Sequence, residues 1–461
     1  MENKRKIYFR ADASAQIGYG HFIRTLALAD MLKDDFDCTF FTQSPTDYQQ
    51  REVEKVCPLI ALPSDESKFE KFLEYLSGDE IVVLDNYFFT SEYQSLISEV
   101  GCKLVCIDDI PSKHFYADAI INHGFVNSKM YDVEDYSQVF LGPQYALLRK
   151  DFLNIHKAIH KCIDCLVCFG GVDEYNLTEK VVRQNPKLKI CAIVGEHYKY
   201  IESLSSNKNV EVLCNLNAAQ MAEKLSEAKT VICSSSTICY EALSCGCLVY
   251  SGYYVDNQIM LYSGLKDNRY IVPLGNLLKA NLSLSHYNSH EIKTLCFHDV
   301  KENLKHIFMT DISIREAKYK DASLLYKWAN DSEVRANAYS TERIKWNVHQ
   351  KWLSQRFKSG NSYIYICYKC RKAFGQVRFD LIKADTVIID YSIDKCYRGQ
   401  GLASRMLASV IRYHNNMNPE IKKYYAEVKH TNIASAKVFM RIGFQKRNLN
   451  SVADSYLYII Q

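Results

Sequence analysis

Short apolar runs alternate along this chain with stretches whose apolar residues recur every three or four positions, the spacing of one helix face. Residues 6–10, 38–41, 81–84, 103–107 and 119–121 read as strands, and 22–32 reads as the helix after the first of them. Strand and helix in alternation predict a doubly wound α/β unit over residues 1–150, with its ligand site at the carboxyl ends of the strands. The pattern repeats over 151–290, where strands are expected at 163–169, 187–194, 210–213, 230–233 and 247–250. Over 291–311 it weakens to a closing helix at 300–309 and a linker. A different order follows over 312–461: a helix at 321–329, strands at 363–368, 374–380 and 386–393, an amphipathic helix at 404–413 and a strand at 424–428. The expected fold is α/β: two Rossmann-like units followed by a smaller α+β domain.

The strand ends carry the chemistry. The first strand runs into Arg10-Ala-Asp12 and then Gly18-Tyr-Gly20-His21, so a glycine turn delivers His21 to the start of a helix. Gly18 and Gly20 allow a tight turn and a close backbone approach to a ligand. Free N–H groups and the helix dipole favour an anion there and disfavour a second positive charge, the setting a neutral general base needs. Asp85-Asn-Tyr87 and Asp108-Asp109 follow two further strands. Carboxylates at such places either cap the next helix or face a ligand, and the Tyr87 hydroxyl either orients a sugar or a water or simply packs.

In the second unit one strand enters Gly170-Gly171-Val-Asp173 and another enters Ser234-Ser235-Ser236-Thr237. Small hydroxyl residues at a helix start suit a diphosphate. Glu241 lies one helical turn beyond Thr237, placed to accept the two hydroxyls of a ribose. Asn257 and Gln258 follow the strand at 247–250 and offer amides to an acetamido group or a water. The G-x-G-x-x-G fingerprint is absent from both units, which argues against NAD.

Composition narrows the class. The 461 residues exceed one ordinary domain, and 48% hydrophobic with 24% charged residues is globular. A net charge of +4 without a long Lys/Arg run argues against nucleic acid and leaves nucleotides as partners. No apolar run approaches about eighteen residues, so no membrane insertion is expected, and Arg10 and Asp12 break the first apolar run too early for a signal peptide. The 17 cysteines are odd in number and scattered through apolar runs, as at Cys106, Cys168, Cys191 and Cys233, which points to reduced thiols and a cytoplasmic location. Cys162-x-x-Cys165 has no second pair to complete a zinc site, so no metal is expected. Nothing in the pattern fixes an oligomeric state.

Arg10-x-Asp12…Gly18-x-Gly20-His21-x-x-Arg24, with Gly170-Gly171-x-Asp173, Ser235-Ser236-x-x-x-x-Glu241 and Asn257-Gln258, resembles the UDP-sugar hydrolases of pseudaminic acid biosynthesis. The resemblance covers about residues 6 to 290. It implies a GT-B-like arrangement of the two units, and release of UDP from UDP-2,4-diacetamido-2,4,6-trideoxy-β-L-altropyranose by inverting attack of water. His21 would then be the base, with Tyr87 and Asn257 lining the sugar pocket. Asp12, Gly18, Gly20, Arg24, Gly170, Gly171, Ser235, Ser236, Thr237, Glu241 and Gln258 would hold the UDP-sugar. A glycosyltransferase, a non-catalytic UDP-sugar sensor, or a related nonulosonic acid pathway stay open as alternatives.

Arg398-Gly399-Gln400-Gly401-Leu402-Ala403, between a strand and a helix, followed by Asn432-x-x-Ser435 and Ile442-Gly443-Phe444, resembles the GNAT acetyltransferases over about residues 312 to 461. Consecutive N–H groups at that helix start suit the pyrophosphate of acetyl-CoA, with Asn432 and Ser435 completing the site by resemblance. Many members place an acidic tyrosine where Met440 stands, so the general acid is unassigned. Glu427, Asp390 and His349 are candidates for a base, each also explicable as structural. The stretch Trp328 to Arg335 with His349-x-x-Trp352 resembles the branch that acetylates amino groups of nucleotide sugars or protein N-termini, although both tryptophans would serve equally as core. Together the resemblances imply one bifunctional enzyme: acetylation of the 4-amino group of a UDP-amino sugar by acetyl-CoA, then hydrolytic release of UDP.

Overall fold

The structure is a computed structural model that describes residues 4–13, 19–153, 161–170, 173–195, 198–284, 291–448 and 455–460. The chain divides into two compact units, residues 1–309 and 310–461.

Nine strands open the first unit: β1 (Lys6–Arg10), β2 (Asp37–Gln43), β3 (Leu59–Leu62), β4 (Ile81–Leu84), β5 (Lys103–Ile107), β6 (His114–Phe115), β7 (Ala119–Asn122), β8 (Asp132–Val133) and β9 (Gln138–Leu141). Seven of them form a sheet in the order β3-β2-β1-β4-β5-β7-β9, every pair parallel, while β6 and β8 make a small ladder of their own. All four side chains of β4 and of β7 are buried, as a parallel sheet covered on both faces requires.

A second all-parallel sheet is built from β10 (Ile163–Cys168), β11 (Ile190–Val194), β12 (Val210–Cys214), β13 (Ala228–Ser234), β14 (Leu248–Tyr253) and β15 (Val272–Asn276), in the order β12-β11-β10-β13-β14-β15. In both sheets the chain winds outward one way from the first strand and then returns to pair on its other side. The crevices lie where that reversal occurs, between β1 and β4 and between β10 and β13, at the carboxyl ends of the strands. The expected closing helix forms at Val300–Met309, and its Val300, Leu304, Ile307 and Phe308 are buried in the core of this unit, with Phe308 against Phe36.

The second unit holds β16 (Ile312–Glu316), β17 (Ser362–Lys369), β18 (Lys372–Lys383), β19 (Thr386–Ile393), β20 (Lys423–Lys429), β21 (Gln445–Asn448) and β22 (Ser455–Ile460), in the order β16-β17-β18-β19-β20-β22-β21. All neighbours are antiparallel except β19 and β20. Those two pair only over Thr386–Ile388 and Lys423–Tyr425, although β19 runs on to Ile393 and β20 to Lys429. Beyond that short ladder the strands part and leave a gap in the sheet. The helix Leu402–Met417 buries Leu402, Met406, Leu407 and Val410 against it, one apolar stripe at three- and four-residue spacing. Burial of each such side chain contributes about 1.5–3 kcal/mol. No helix among the described residues is long and apolar enough to cross a membrane.

Candidate functional sites

The helix Gly20–Leu32 starts at the carboxyl end of β1 and carries His21 in its first turn, with Arg24 one turn on. At the end of the adjacent β4 stands Asp85, fully buried. Its carboxylate takes the His21 Nδ1 at 2.7 Å, the Arg24 Nε and Nη2 at 2.7 Å each, and the Thr25 hydroxyl at 2.8 Å. Burial pushes the Asp85 carboxyl up, but Arg24 and His21 overcome it and hold the group well below its ordinary range. Arg24 Nη2 also lies 3.1 Å from Nδ1, but the shorter contact there is to the ionised carboxylate, which assigns the proton to Nδ1 and leaves the lone pair on Nε2. Arg24 also reaches Asp109 with Nη1 at 2.7 and 2.8 Å, and against the cost of burial these two carboxylates raise its pKa.

Above this cluster lies a cavity of about 160 Å³ between the two sheets of the first unit. One wall is Gly20, His21, Arg24, Tyr87, Asp109 and the turn Asn122–Gly124; the other is Ser235, Ser236, Thr237, Asn257 and Gln258. Tyr87 donates to Asp109 at 2.8 Å, accepts from the Asn257 Nδ2 at 3.0 Å, and meets the His21 ring edge-on at 4.7 Å. The Asn257 Oδ1 is buried with no hydrogen-bond partner. Thr237 begins the helix Thr237–Ser244, whose positive end therefore borders the cavity.

The remaining expected residues lie elsewhere. Asp12 is fully buried in an ion pair with Arg10 and also accepts from the Gln43 N–H at 2.8 Å, so it ties β1 to β2 outside the lining. Gly170 takes φ +93° at the end of β10 and does not line the cavity. Asp173 accepts the N–H groups of Leu177 and Thr178 at 2.9 and 2.8 Å, a helix cap. Glu241 is 3% exposed and takes Arg149 Nε and Nη2 at 2.7 and 2.8 Å on its two oxygens. Gly18 and Gly171 lie outside the described residues.

His123, which no sequence motif singles out, follows β7 and lines the cavity. Its Nδ1 is buried without a partner, and burial together with the Arg24 charge pushes its pKa down to about 4. The position at the carboxyl end of a parallel strand was the available signal.

A second cavity, of about 900 Å³, opens within the unit 310–461. Arg398, Gly399, Gly401, Leu402, Ala403, Asn432 and Ser435 all line it. Gly399 and Gly401 take φ of +77° and +70°, and a Cβ at either would meet nothing within 4 Å, so this loop presents bare backbone to open space. Such a loop, at the start of a helix, fits the pyrophosphate of a coenzyme A. Arg398 is bound by Asp331 at 2.7 Å and Glu333 at 2.8 Å, and its Nε donates to the Ile393 carbonyl at 3.1 Å, which fixes the loop to β19. Gln400 is exposed and turns back to the Cys396 carbonyl. Asn432 caps the helix Ile433–Arg441 by accepting from the Ser435 N–H.

That helix sets Phe439 against the cavity, whereas Met440 is 51% exposed and outside the lining. The cavity-facing position is therefore 439, not 440, and it too lacks a hydroxyl. Trp328 is core, its Nε1 donating to Asp394 at 2.9 Å, while Trp352 lines the cavity under the guanidinium of Arg378. His349 Nε2 donates to the Ala322 carbonyl, and burial lowers its pKa. Among the described residues no group of three or more His, Cys, Asp or Glu is placed to hold a metal ion.

Residues 311–445 match the family model of the acetyltransferase (GNAT) domain. The C-terminal unit carries a GNAT domain. The N-terminal region resembles the UDP-2,4-diacetamido-2,4,6-trideoxy-beta-L-altropyranose hydrolase of Campylobacter jejuni, 28% identical over 268 residues, 55% of this chain and 93% of that protein. It also resembles the spore coat polysaccharide biosynthesis protein SpsG of Bacillus subtilis, 26% identical over 284 residues, 58% of this chain and 82% of that protein. The uncharacterized protein MJ1062 of Methanocaldococcus jannaschii matches at full length, 26% identical over 473 residues, 96% of this chain and 97% of that protein.

Proposed function

We propose that the chain is a bifunctional enzyme of nucleotide-sugar biosynthesis whose first unit hydrolyses UDP-2,4-diacetamido-2,4,6-trideoxy-β-L-altropyranose. The observation that carries this reading is the His21–Asp85 pair at 2.7 Å on one wall of a cavity whose other wall is Ser235, Ser236 and Thr237. Asp85 holds Nδ1–H, so Nε2 takes a proton from water as that water attacks the anomeric carbon. The C–O bond to the diphosphate breaks with inversion, and UDP leaves toward the helix start at Thr237, where N–H groups stabilise its charge. UDP is a good leaving group, so no second carboxylic acid is required, in contrast to ordinary glycosidases. Asn257 Oδ1, buried and unpartnered, is the acceptor for an acetamido N–H of the sugar.

In the second unit the loop Arg398 to Ala403 and Asn432 would hold acetyl-CoA, which supplies an activated acetyl group for the 4-amino group of UDP-4-amino-4,6-dideoxy-N-acetyl-β-L-altrosamine. Acetylation by this unit makes the substrate of the other. The same residues at the His21 cavity would serve a related diacetamido sugar, and the resemblance to SpsG keeps the sugar's identity a matter for substrate comparison. The deciding experiment is UDP release from the 4-amino sugar with and without acetyl-CoA. Release that requires acetyl-CoA and disappears in His21→Ala is the expected result. Accumulation of the acetylated sugar with UDP still attached would refute the hydrolase.

A further inference from the structure

Acyl transfer from a thioester to an amine moves two protons: the amine loses one and the departing sulfur gains one. In the acetyltransferase cavity the helix Ile433–Arg441 offers Phe439, which has no proton to give. The two parting strands carry titratable groups on opposite faces. On β19, Val387, Ile389 and Ile393 belong to the buried core and Tyr391 packs against it, so Tyr391 shares that face and Asp390 lies on the other. On β20, Tyr424, Ala426 and Val428 are in the same core, which puts Glu427 on the face of Asp390. Because β19 and β20 separate after Ile388 and Tyr425, the gap between them opens from the Tyr391 face to the Glu427 face. Both residues line the cavity.

The Tyr391 hydroxyl is 3.0 Å from the Ser435 Oγ, and its ring meets Phe439 edge-on at 5.7 Å. Ser435 sits on the helix that Asn432 caps, beside the glycine loop. Across the gap, the Glu427 carboxylate accepts from the Tyr339 hydroxyl at 3.3 Å.

We propose that Tyr391 is a catalytic residue of acetyl transfer, giving its hydroxyl proton to the departing sulfur on one face of the split sheet while Glu427 takes the amine proton on the other. The proposal rests on the acetyltransferase reading of this unit and is independent of which sugar is acetylated. The amine lone pair forms the C–N bond to the acetyl carbon, the C–S bond breaks, and its electron pair goes to sulfur. Tyr391 protonates that sulfur and becomes a phenolate, which the Ser435 O–H stabilises by donation. Glu427 ends protonated, and return of its proton through solvent to Tyr391 restores both groups. Burial raises the Tyr391 pKa above the ordinary phenol value, so the proton is in place at neutral pH.

The test uses the full chain with coenzyme A itself, read by the ultraviolet absorbance of the thiolate as pH is raised. A hydrogen bond from Tyr391 to sulfur favours the thiolate, so the bound thiol should titrate lower in the native protein than in Tyr391→Phe, by about one unit or tenfold in thiolate fraction. Ser435→Ala should fall between them. In turnover with the UDP-amino sugar, Tyr391→Phe should lower kcat by about 100-fold and leave KM for acetyl-CoA unchanged. Identical thiol titrations in the native protein and Tyr391→Phe would overturn the proposal. So would loss of coenzyme A binding in Tyr391→Phe, because the pair would then be part of the binding wall only. If the thiol titrations differ as expected and the native protein fails to acetylate that sugar, the sugar assignment fails and the acid assignment stands.

Discussion

Asn257 and Tyr87 are 170 residues apart in the chain and meet across the cavity, Nδ2 donating to the phenol oxygen at 3.0 Å. The bond links the two Rossmann-like halves at the point where a sugar would be held. Tyr87 in turn donates a hydrogen bond to Asp109, which is bound to Arg24, so the contact extends into the charged floor under His21. Tyr87→Phe and Asn257→Ala should each lower kcat/KM for UDP release. The double variant should lose less than the sum, with a coupling of about 1 kcal/mol. Strict additivity in that cycle would mean the bond does no catalytic positioning.

Asp85 is the group on which His21 depends. Asp85→Asn keeps the shape but removes the ionised acceptor that selects the tautomer, and UDP release should fall by about 100- to 10,000-fold. Binding of UDP measured by calorimetry should change little, because Asp85 is fully buried below the cavity wall. Wild-type turnover in this variant would remove the dyad from the mechanism.

The pairing of Arg149 with Glu241 gives a stability prediction with a functional control. Arg149→Met leaves a carboxylate 3% exposed without its bidentate partner, a cost of about 3–5 kcal/mol read from denaturant unfolding. Arg149→Met combined with Glu241→Gln should recover much of it. If Glu241 also holds the ribose, Glu241→Gln alone will weaken UDP binding; a purely structural role predicts unfolding at lower denaturant with UDP affinity intact.

How far the sequence could be read follows from the reach of each signal. Alternation of apolar runs and helical spacing is local, so the central strands β1, β4, β5, β7, β10 and β13 were legible, and with them the strand ends where His21, Tyr87 and Ser235 stand. Several edge strands were not: β3, β9, β15 and β21, together with β22 beside β21, are short or half-exposed and carry a weaker pattern. Which polar residue turns toward a ligand is a tertiary fact. Asp12 and Glu241 stand at promising positions, yet each is met by an arginine: Arg10, two residues before Asp12 on the same strand end, and Arg149, 92 residues before Glu241, a partner that nothing local marks. Met440 and Phe439 differ by one position on a helix, about 100° of rotation, which decides the side that faces the cavity.

Asp108 carries the last prediction, of opposite sign to its neighbour. It is 6% exposed, accepts from the Tyr131 hydroxyl at 3.0 Å, and burial together with the Asp109 charge raises its pKa to about 6. Asp109 itself is pushed up by burial but pulled below the ordinary range by Arg24. A carboxyl whose folded-state pKa is raised ionises first in the unfolded chain. Its favourable contribution is therefore present below about pH 4 and lost as pH rises to about 6. Asp109 works the other way: its contribution is present above about pH 4 and lost as pH falls through its lowered value. Asp108→Asn keeps an oxygen for Tyr131 and removes the charge. Its unfolding free energy from urea titration should match the native protein's near pH 4 and exceed it at pH 7, by on the order of 2–3 kcal/mol. A variant less stable than the native protein at pH 7 would show that the ionised carboxylate is compensated in the folded state, and the charge cluster would then have to be redrawn with Asp108 paired.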